Sequence, residues 1–355
     1  MVDYCRMNNT IDVNQIPYLT WTWLKINNDS VAYDFTLTEN NETEVKLPEG
    51  VKAGTGKSVS TSLGEPQFSI GAQAAGLISD AAKLGKIYTI EESPSEPLII
   101  RIKLDSNSAT HQIIHAKAGT AANVIIIYES SCDSAALSGV ITKVYAEADS
   151  KVHISKVQLC GKAVNQLDDT AVICGERAKV SFTQIELGAS HINAGFHASL
   201  EGYQSSFYSD TAYICQGNQY LDMNQVVVHK GKKTVCDMKT HGTAKDEATK
   251  TYRGTIDMVK GCAGSVGNEI ETTLLLSPKA VVKAAPIILC GEEDISAEHG
   301  STIGKLSNEM LFYMNSRGID QKTAEELLTR AKITAAAANI EDETVRKEIE
   351  EFLQK

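Results

Sequence analysis

No stretch of the chain approaches the roughly 20 consecutive apolar residues that a bilayer-spanning helix needs. The opening residues lack both the basic start and the apolar run of a secretory leader, so a cytoplasmic chain with reduced thiols is expected. Its eight cysteines include no Cys-x-x-Cys pair, which removes a zinc ribbon. A basic excess is missing too. With 34 Lys and Arg against 45 Asp and Glu the net charge is −11, and no basic cluster is present, so neither nucleic acid nor an anionic membrane is an expected partner. A complete P-loop is also absent. The segment GVKAGTGKSVS, Gly50 to Ser60, ends in Gly-Lys-Ser, but the glycine that should stand five positions before Gly56 is replaced by Val51. A polar run precedes it and SVSTSLG is a poor helix former, so the segment reads as a flexible turn.

What is present is a repeat. Between about Arg101 and Pro286 short runs rich in Val, Ile and Thr, such as NVIIIYES, KVHISKVQLCG and KVSFTQIELG, alternate with small polar turns. The turns GTAANV, EADSKV, GERAKV, YQSSF and GKKTV each deliver an apolar residue, at Val124, Val152, Val180, Phe207 and Val235, spaced by 28, 28, 27 and 28. Such a period belongs to stacked units that each cover a neighbour's apolar face. With no long helical pattern between the runs, a mainly β fold is expected, either a solenoid or a large sandwich. Two cysteine pairs, Cys132/Cys160 and Cys262/Cys290, share the period. Such pairs read either as part of an inward ladder of small side chains or as thiolates facing a metal.

The ends differ from the middle. Ala72 to Leu84 is Ala-rich and helical in pattern, behind a turn-rich region carrying Tyr18, Trp21 and Trp23. After Ser307 three helices are expected, with Ser307 and Asp320 as caps of the first two and Val345, Ile349, Phe352 and Leu353 on one face of the last. That face must pack on the β-body, a second copy or a partner. The expected division is a mixed N-terminal region over 1–95, a β-helix core over 96–303 and a helical domain over 304–355.

The stretch SPKAVVKAAPIILCGEEDISAEHGSTIGKLSNEMLFYMNSRGI, Ser277 to Ile319, resembles the SufB/SufD family of iron–sulfur cluster assembly proteins. The family signature runs from an apolar strand through a Cys-Ser-His-Gly-Ala-Thr-like turn into a helix ending in Ser-Arg-Gly. The likeness extends over at least Thr234 to Ile333 and includes KTHGTAKDEATKTYRGTI. It implies a right-handed parallel β-helix with helical ends. It also implies a scaffold, not an enzyme, that dimerises with itself or with a second SufB/SufD-like subunit and holds a transient iron–sulfur cluster. ATP hydrolysis would belong to a SufC-like ABC-type ATPase partner, and sulfur donors and acceptor apoproteins would visit.

The signature turn matches Ala297, Glu298 and His299, so the family's cysteine is absent there and its histidine is kept. The cysteine of the SufB branch matches near Glu271, where no cysteine stands. The resemblance therefore points to His299 first, with Glu298 beside it. Cys236, Cys262 and Cys290, spaced 26 and 28, are the candidate thiolates, with His241 and Lys239 close in sequence to Cys236. The ATPase is expected on the C-terminal helices, at Leu311, Phe312, Arg317, Leu327 and Leu328. The alternatives are a β-helix enzyme acting on acidic polysaccharide, which would want a basic groove, and a purely structural solenoid. Truncation after Ile319 is expected to abolish ATPase binding in a pull-down while leaving the β-body folded.

Overall fold

The computed structural model describes residues 9–19, 22–33, 37–131 and 135–354; Trp21 and Cys132 lie outside the described residues. The core is a β-solenoid whose successive strands alternate between two facing sheets. One sheet has ten strands and runs from Val51–Gly56 to Val281–Cys290; the other has nine and runs from Thr43–Lys46 to Ile295–Gly304. Within the stack each strand pairs in parallel with the strand one coil on, as in Val152↔Val180↔Phe207. The first two strands are exceptions. Thr43–Lys46 and Val51–Gly56 pair antiparallel with Leu98–Lys103 and Gly85–Ile90, closing the start of both sheets. The Gly50–Ser60 segment is thus a strand running into irregular chain, and no helix follows Lys57 to receive a phosphate.

The repeat has a conformational cause. Gly119, Asp149, Arg177, Gln204, Lys233 and Gly264 all have positive φ, between 53° and 78°, and stand at the same corner of consecutive coils. A small residue follows each, and several of these cap the turn: Ser150 Oγ donates to the Glu147 carbonyl (2.7 Å) and Ser205 Oγ to that of Gly202 (2.9 Å). Three residues after each corner stands the first inward side chain of the next strand. The resulting ladder is Ala122, Val152, Val180, Phe207, Cys236 and Gly267. Val124 instead pairs with Ile154, and Val235 with Ser206, so the apolar ladder read from sequence slips by two residues at its start and by one at its end. Small residues at positions 122 and 236 hid the true register behind neighbouring valines. A one-residue slip reverses the face, which is why Cys236 is fully buried while Val235 is half-buried.

Both faces of many strands are covered, which explains runs such as NVIIIYES. Val124, Ile126 and Tyr128 face the interior, whereas Ile125 and Ile127 face out with Val157 and Ile185. The outer stripe is covered by two of the C-terminal helices. These helices are α2, Asn308–Ser316, α3, Gln321–Ala337, and α4, Glu343–Phe352, where α1 is Ala72–Ala81 near the N-terminus. Ser307, Asp320 and Asp342 cap them, accepting from the backbone N–H three residues on. Ile333, Ala336 and Ala337 of α3 and Val345 and Ile349 of α4 are buried on the stripe, with Phe352 and Leu353 packed beside them. On the opposite sheet, α1 and the hairpin of Asn9–Val13 with Asp29–Tyr33 bury Ala74, Ile78, Ile11 and Val13 against Ala109, Leu137 and Leu167.

This packing corrects the truncation expected from sequence. Removing everything after Ile319 strips the cover from Ile125, Ile127, Val157 and Ile185, so the shortened chain is expected to melt earlier and aggregate, and a pull-down with it cannot report on docking alone. A sharper test of the coil stack lies at Gly242. Tyr213, Gly242 and Thr273 are register partners in three successive coils, and the Tyr213 hydroxyl passes the glycine to reach Thr273 Oγ1 at 2.5 Å. A Cβ at 242 would lie 2.6 Å from the Tyr213 ring. Gly242→Ala is expected to cost about 1–3 kcal/mol in urea unfolding, in line with overpacking of a dense core, and an unchanged midpoint would contradict the threading.

Candidate functional site

The solenoid starts on two short antiparallel strands and ends on two ten-residue parallel ones. Its last coil consists of Val281–Cys290 and Ile295–Gly304, each paired on one side only among the described residues. Exposure rises accordingly, with Val281 and Ile303 each 45% exposed. Glu298 and His299 lie on the final strand, both exposed, in register with Asn268 and Glu269. Sequence places them in a turn; the structure places them within a ten-residue edge strand.

Beneath this strand the interior turns polar. Glu271, where the resemblance would put a cysteine, is fully buried and its carboxylate accepts from three donors: Lys250 Nζ (2.6 Å), Ser301 Oγ of the final strand (2.5 Å) and Thr273 Oγ1. Thr273 in turn accepts from Tyr213. A buried carboxylate with that many charge-assisted partners is committed to structure, because losing any one leaves charge unpaired in a low-dielectric setting. Burial pulls the Lys250 ammonium down, and Glu271 opposes that. Glu269 has no such cation. It lies under Gly254, whose missing Cβ makes room for the carboxyl, and burial pushes it up to about 8, with the Glu271 charge adding to the effect.

The three candidate cysteines do not converge. Cys236 is inward in the second sheet, in register with Gly267. Cys290 pairs with Met258 and is exposed at the end of its strand, and Cys262 sits buried in the turn four residues beyond Met258. The equal spacing of Cys262 and Cys290 therefore does not stack them, because the coil between them is longer than the period read from sequence. Cys160 is a core residue. His241 points away from Cys236, on the outward face, where Asp210 Oδ1 holds its Nε2 at 2.8 Å; Lys239, also outward, pairs with Asp237.

The partner that sequence reading missed for Cys236 is His229. Its Nε2 lies 3.2 Å from the sulfur, and Nδ1 lies 2.7 Å from Thr234 Oγ1. His229 ends one strand and Cys236 is the second residue of the next, so the turn folds two inward positions together. The parity of Leu221, Met223, Gln225, Val227 and His229 was the available signal. Burial lowers the imidazole to about 4 and raises the thiol to about 12, so this is a neutral pair and not a thiolate–imidazolium dyad. Among the described residues, no group of three or more His, Cys, Asp and Glu side chains is arranged to hold a metal ion.

On α2 and α3, Phe312, Tyr313 and Leu327 are exposed at 76%, 60% and 47%, while Leu311 and Leu328 are half-buried. Arg317 is exposed, with its guanidinium over the Tyr313 ring (5.4 Å). No helix among the described residues is long and apolar enough to cross a membrane.

The core-domain model of the SUF system for iron–sulfur cluster assembly, SufBD, matches residues 100–332, well over half of the chain. The chain belongs to the SufBD family. It is similar to SufD of Bacillus subtilis, at 27% identity over 155 residues that cover 43% of this chain and 36% of that protein. It is 21% identical to SufD of Escherichia coli over 233 residues, 65% and 55% of the two chains. A SufBD family protein of Pyrococcus horikoshii matches at 24% over 255 residues, 72% and 54%. The matched region spans from about a third to just over half of these relatives. The family is one of iron–sulfur cluster assembly proteins, and its matched core is here the solenoid after its opening strands, together with α2 and much of α3.

For this SufBD chain the polar end of the core has a pH signature. The unfolded Glu269 carboxyl loses its proton near 4.5, whereas the folded one keeps it to about 8. Between those values the native state binds the extra proton, so stability falls as pH rises through that window and levels off above it. Glu269→Gln, which stays neutral, is expected to gain several degrees in melting temperature relative to wild type between pH 5 and pH 8.5. A difference that stays constant with pH would show that Glu269 is ionised in the fold.

Proposed function

We propose that this chain is a scaffold on which an iron–sulfur cluster is assembled where two solenoid ends meet. The supporting observation is the uncapped last coil. Its two edge strands expose unpaired backbone groups, and an antiparallel copy of the same edge is the simplest group that satisfies them. A two-fold axis there would bring His299 and Glu298 of both copies to one seam. This fits the donor inventory: a single chain offers no three-ligand group among the described residues, whereas two copies together offer two imidazoles and two carboxylates. Imidazole and carboxylate hold iron more weakly than thiolate does, which suits a cargo that must be released. Cys290 is exposed on the neighbouring edge strand and is the one thiol of the candidate trio that could reach the seam. Cys236 and Cys262 are buried core residues and would not serve without opening the coil.

ATP hydrolysis falls to a SufC-like ABC-type ATPase docked on α2 and α3. Its footprint is Phe312 with Tyr313, Arg317 and Leu327, an exposed aromatic and arginine cluster of the kind that anchors protein interfaces. Leu311 and Leu328 would back this surface from below. A sulfur donor and acceptor apoproteins would meet the seam, and a cytoplasmic or organellar compartment with reduced thiols would suit it. Family membership and the net charge of −11 speak against an enzyme acting on acidic polysaccharide.

Two measurements test the proposal. Anaerobic reconstitution with ferrous iron and sulfide, followed by absorption spectra and metal counts, is expected to load wild type and to lose most of the cluster in His299→Ala, with partial loss in Cys290→Ser. Equal loading of all three proteins would remove the seam as the cluster site. For docking, Phe312→Ala/Leu327→Ala is expected to weaken ATPase binding at least about tenfold, the effect of losing one or two interface anchors, with an unchanged melting temperature because both side chains are exposed. Unaltered affinity would place the ATPase elsewhere.

A further inference from the structure

The N-terminal hairpin does not run along one strand of the first sheet; it climbs across the coils. Ile11 and Val13 pack with Ala109, Leu137 and Leu167, which belong to three successive strands. Asp29 Oδ2 then accepts from His191 Nε2 (2.9 Å) and Asn193 Nδ2 (2.7 Å), one coil further on. Asn14 Nδ2 donates to Asp222 Oδ1 (2.7 Å) in the next strand, and Arg253 Nε of the strand after that donates to the Ile26 carbonyl (2.6 Å). Asp222 and Arg253 also pair with each other, both fully buried. Pro17 completes the climb by lining a cleft with Leu289 of the last strand of that sheet. The connection from Asn14 to Asp29 is thus carried to the uncapped end of the solenoid.

What that connection presents there is apolar. Tyr18, Leu19 and Trp23 are 63%, 60% and 81% exposed. The base of the loop is fixed by buried hydrogen bonds at Asn14, Ile26 and Asp29, so Tyr18, Leu19 and Trp23 extend from an anchored base. Exposed tryptophan and tyrosine on a pre-organised support have the composition of an interface anchor rather than of ordinary solvated surface.

We propose that Tyr18, Leu19 and Trp23 form a clasp that grips the terminal coil of a second copy of this chain. This rests on the reading that two solenoid ends pair. A second copy is the fitting occupant because the loop is continuous with the unpaired edge of Val281–Cys290, and a two-fold axis there would make each copy both donor and receiver of a loop. The clasp adds side-chain burial to an edge pairing that otherwise rests on backbone hydrogen bonds, and so selects a mate carrying the same end.

Trp23 is one of the two tryptophans of the chain, so intrinsic fluorescence reports on the proposed contact. The test is a dilution series of the full chain by light scattering and by tryptophan emission, for wild type, Tyr18→Ser/Trp23→Ser and the edge variant Ile303→Glu. Wild type is expected to be dimeric, with emission shifting to the red as it dissociates. The double variant is expected to dissociate at about thirtyfold higher concentration, the scale of one interface hot spot, with the melting temperature of its monomer unchanged. Ile303→Glu is expected to be monomeric, with red-shifted emission throughout. If the double variant dimerises like wild type while Ile303→Glu falls apart, the clasp is overturned and end-to-end pairing stands. Dissociation of wild type without an emission shift likewise overturns the clasp alone, and a wild type monomeric at every concentration overturns both.

Discussion

The backbone ladder of the solenoid joins each coil to the coil before it and the coil after it, and the rest of the structure depends on how that ladder is begun and ended. At the start the chain reverses direction: two short antiparallel strands, Thr43–Lys46 and Val51–Gly56, lie on the first parallel strands of both sheets and turn exposed polar faces outward. At the finish no comparable device appears among the described residues, and the final strand is exposed along most of its length. In a quasi-one-dimensional stack an unfinished terminus is a liability unless it is used.

The interior shows the same economy. Small corner residues and left-handed turns fix the pitch, large aromatics such as Phe182, Phe196 and Phe207 fill the middle, and buried ions thread the lumen toward the finish. Lys156 with Asp168 and Lys250 with Glu271 are paired at 2.6 Å with essentially no exposure. Such pairs add little net stability against an apolar alternative, but each ties the two facing sheets together within one coil, because sliding one strand against the other would strand a charge.

Much of this was legible in the sequence. Period, strand character and the three C-terminal helices, with the caps of the first two, came from turn chemistry and apolar spacing, which are local signals. The register was less legible, since Ala122 and Cys236 occupy ladder positions that valines two residues or one residue away imitate. The exposure of the last coil could not be read at all: Val281–Cys290 looks as apolar as any inner strand, and only the absence of a following strand makes it an edge. For the candidate site, the resemblance located His299 and Glu298 but suggested a turn, and equal spacing suggested that Cys262 and Cys290 stack. Coil lengths vary, so spacing alone does not report adjacency. The His229–Cys236 pair needed the turn's geometry, which brings two inward positions together across seven residues.

The antiparallel strands at the start of the stack also limit how large an assembly can become. A solenoid with two bare termini could add copies head to tail without limit and grow into fibres. Among the described residues one terminus ends in short strands carrying Lys and Glu and the other in two ten-residue strands. In the end-to-end pairing proposed above, joining two copies through the long strands would leave only the short, charged edges facing solvent, and growth would stop at a closed pair.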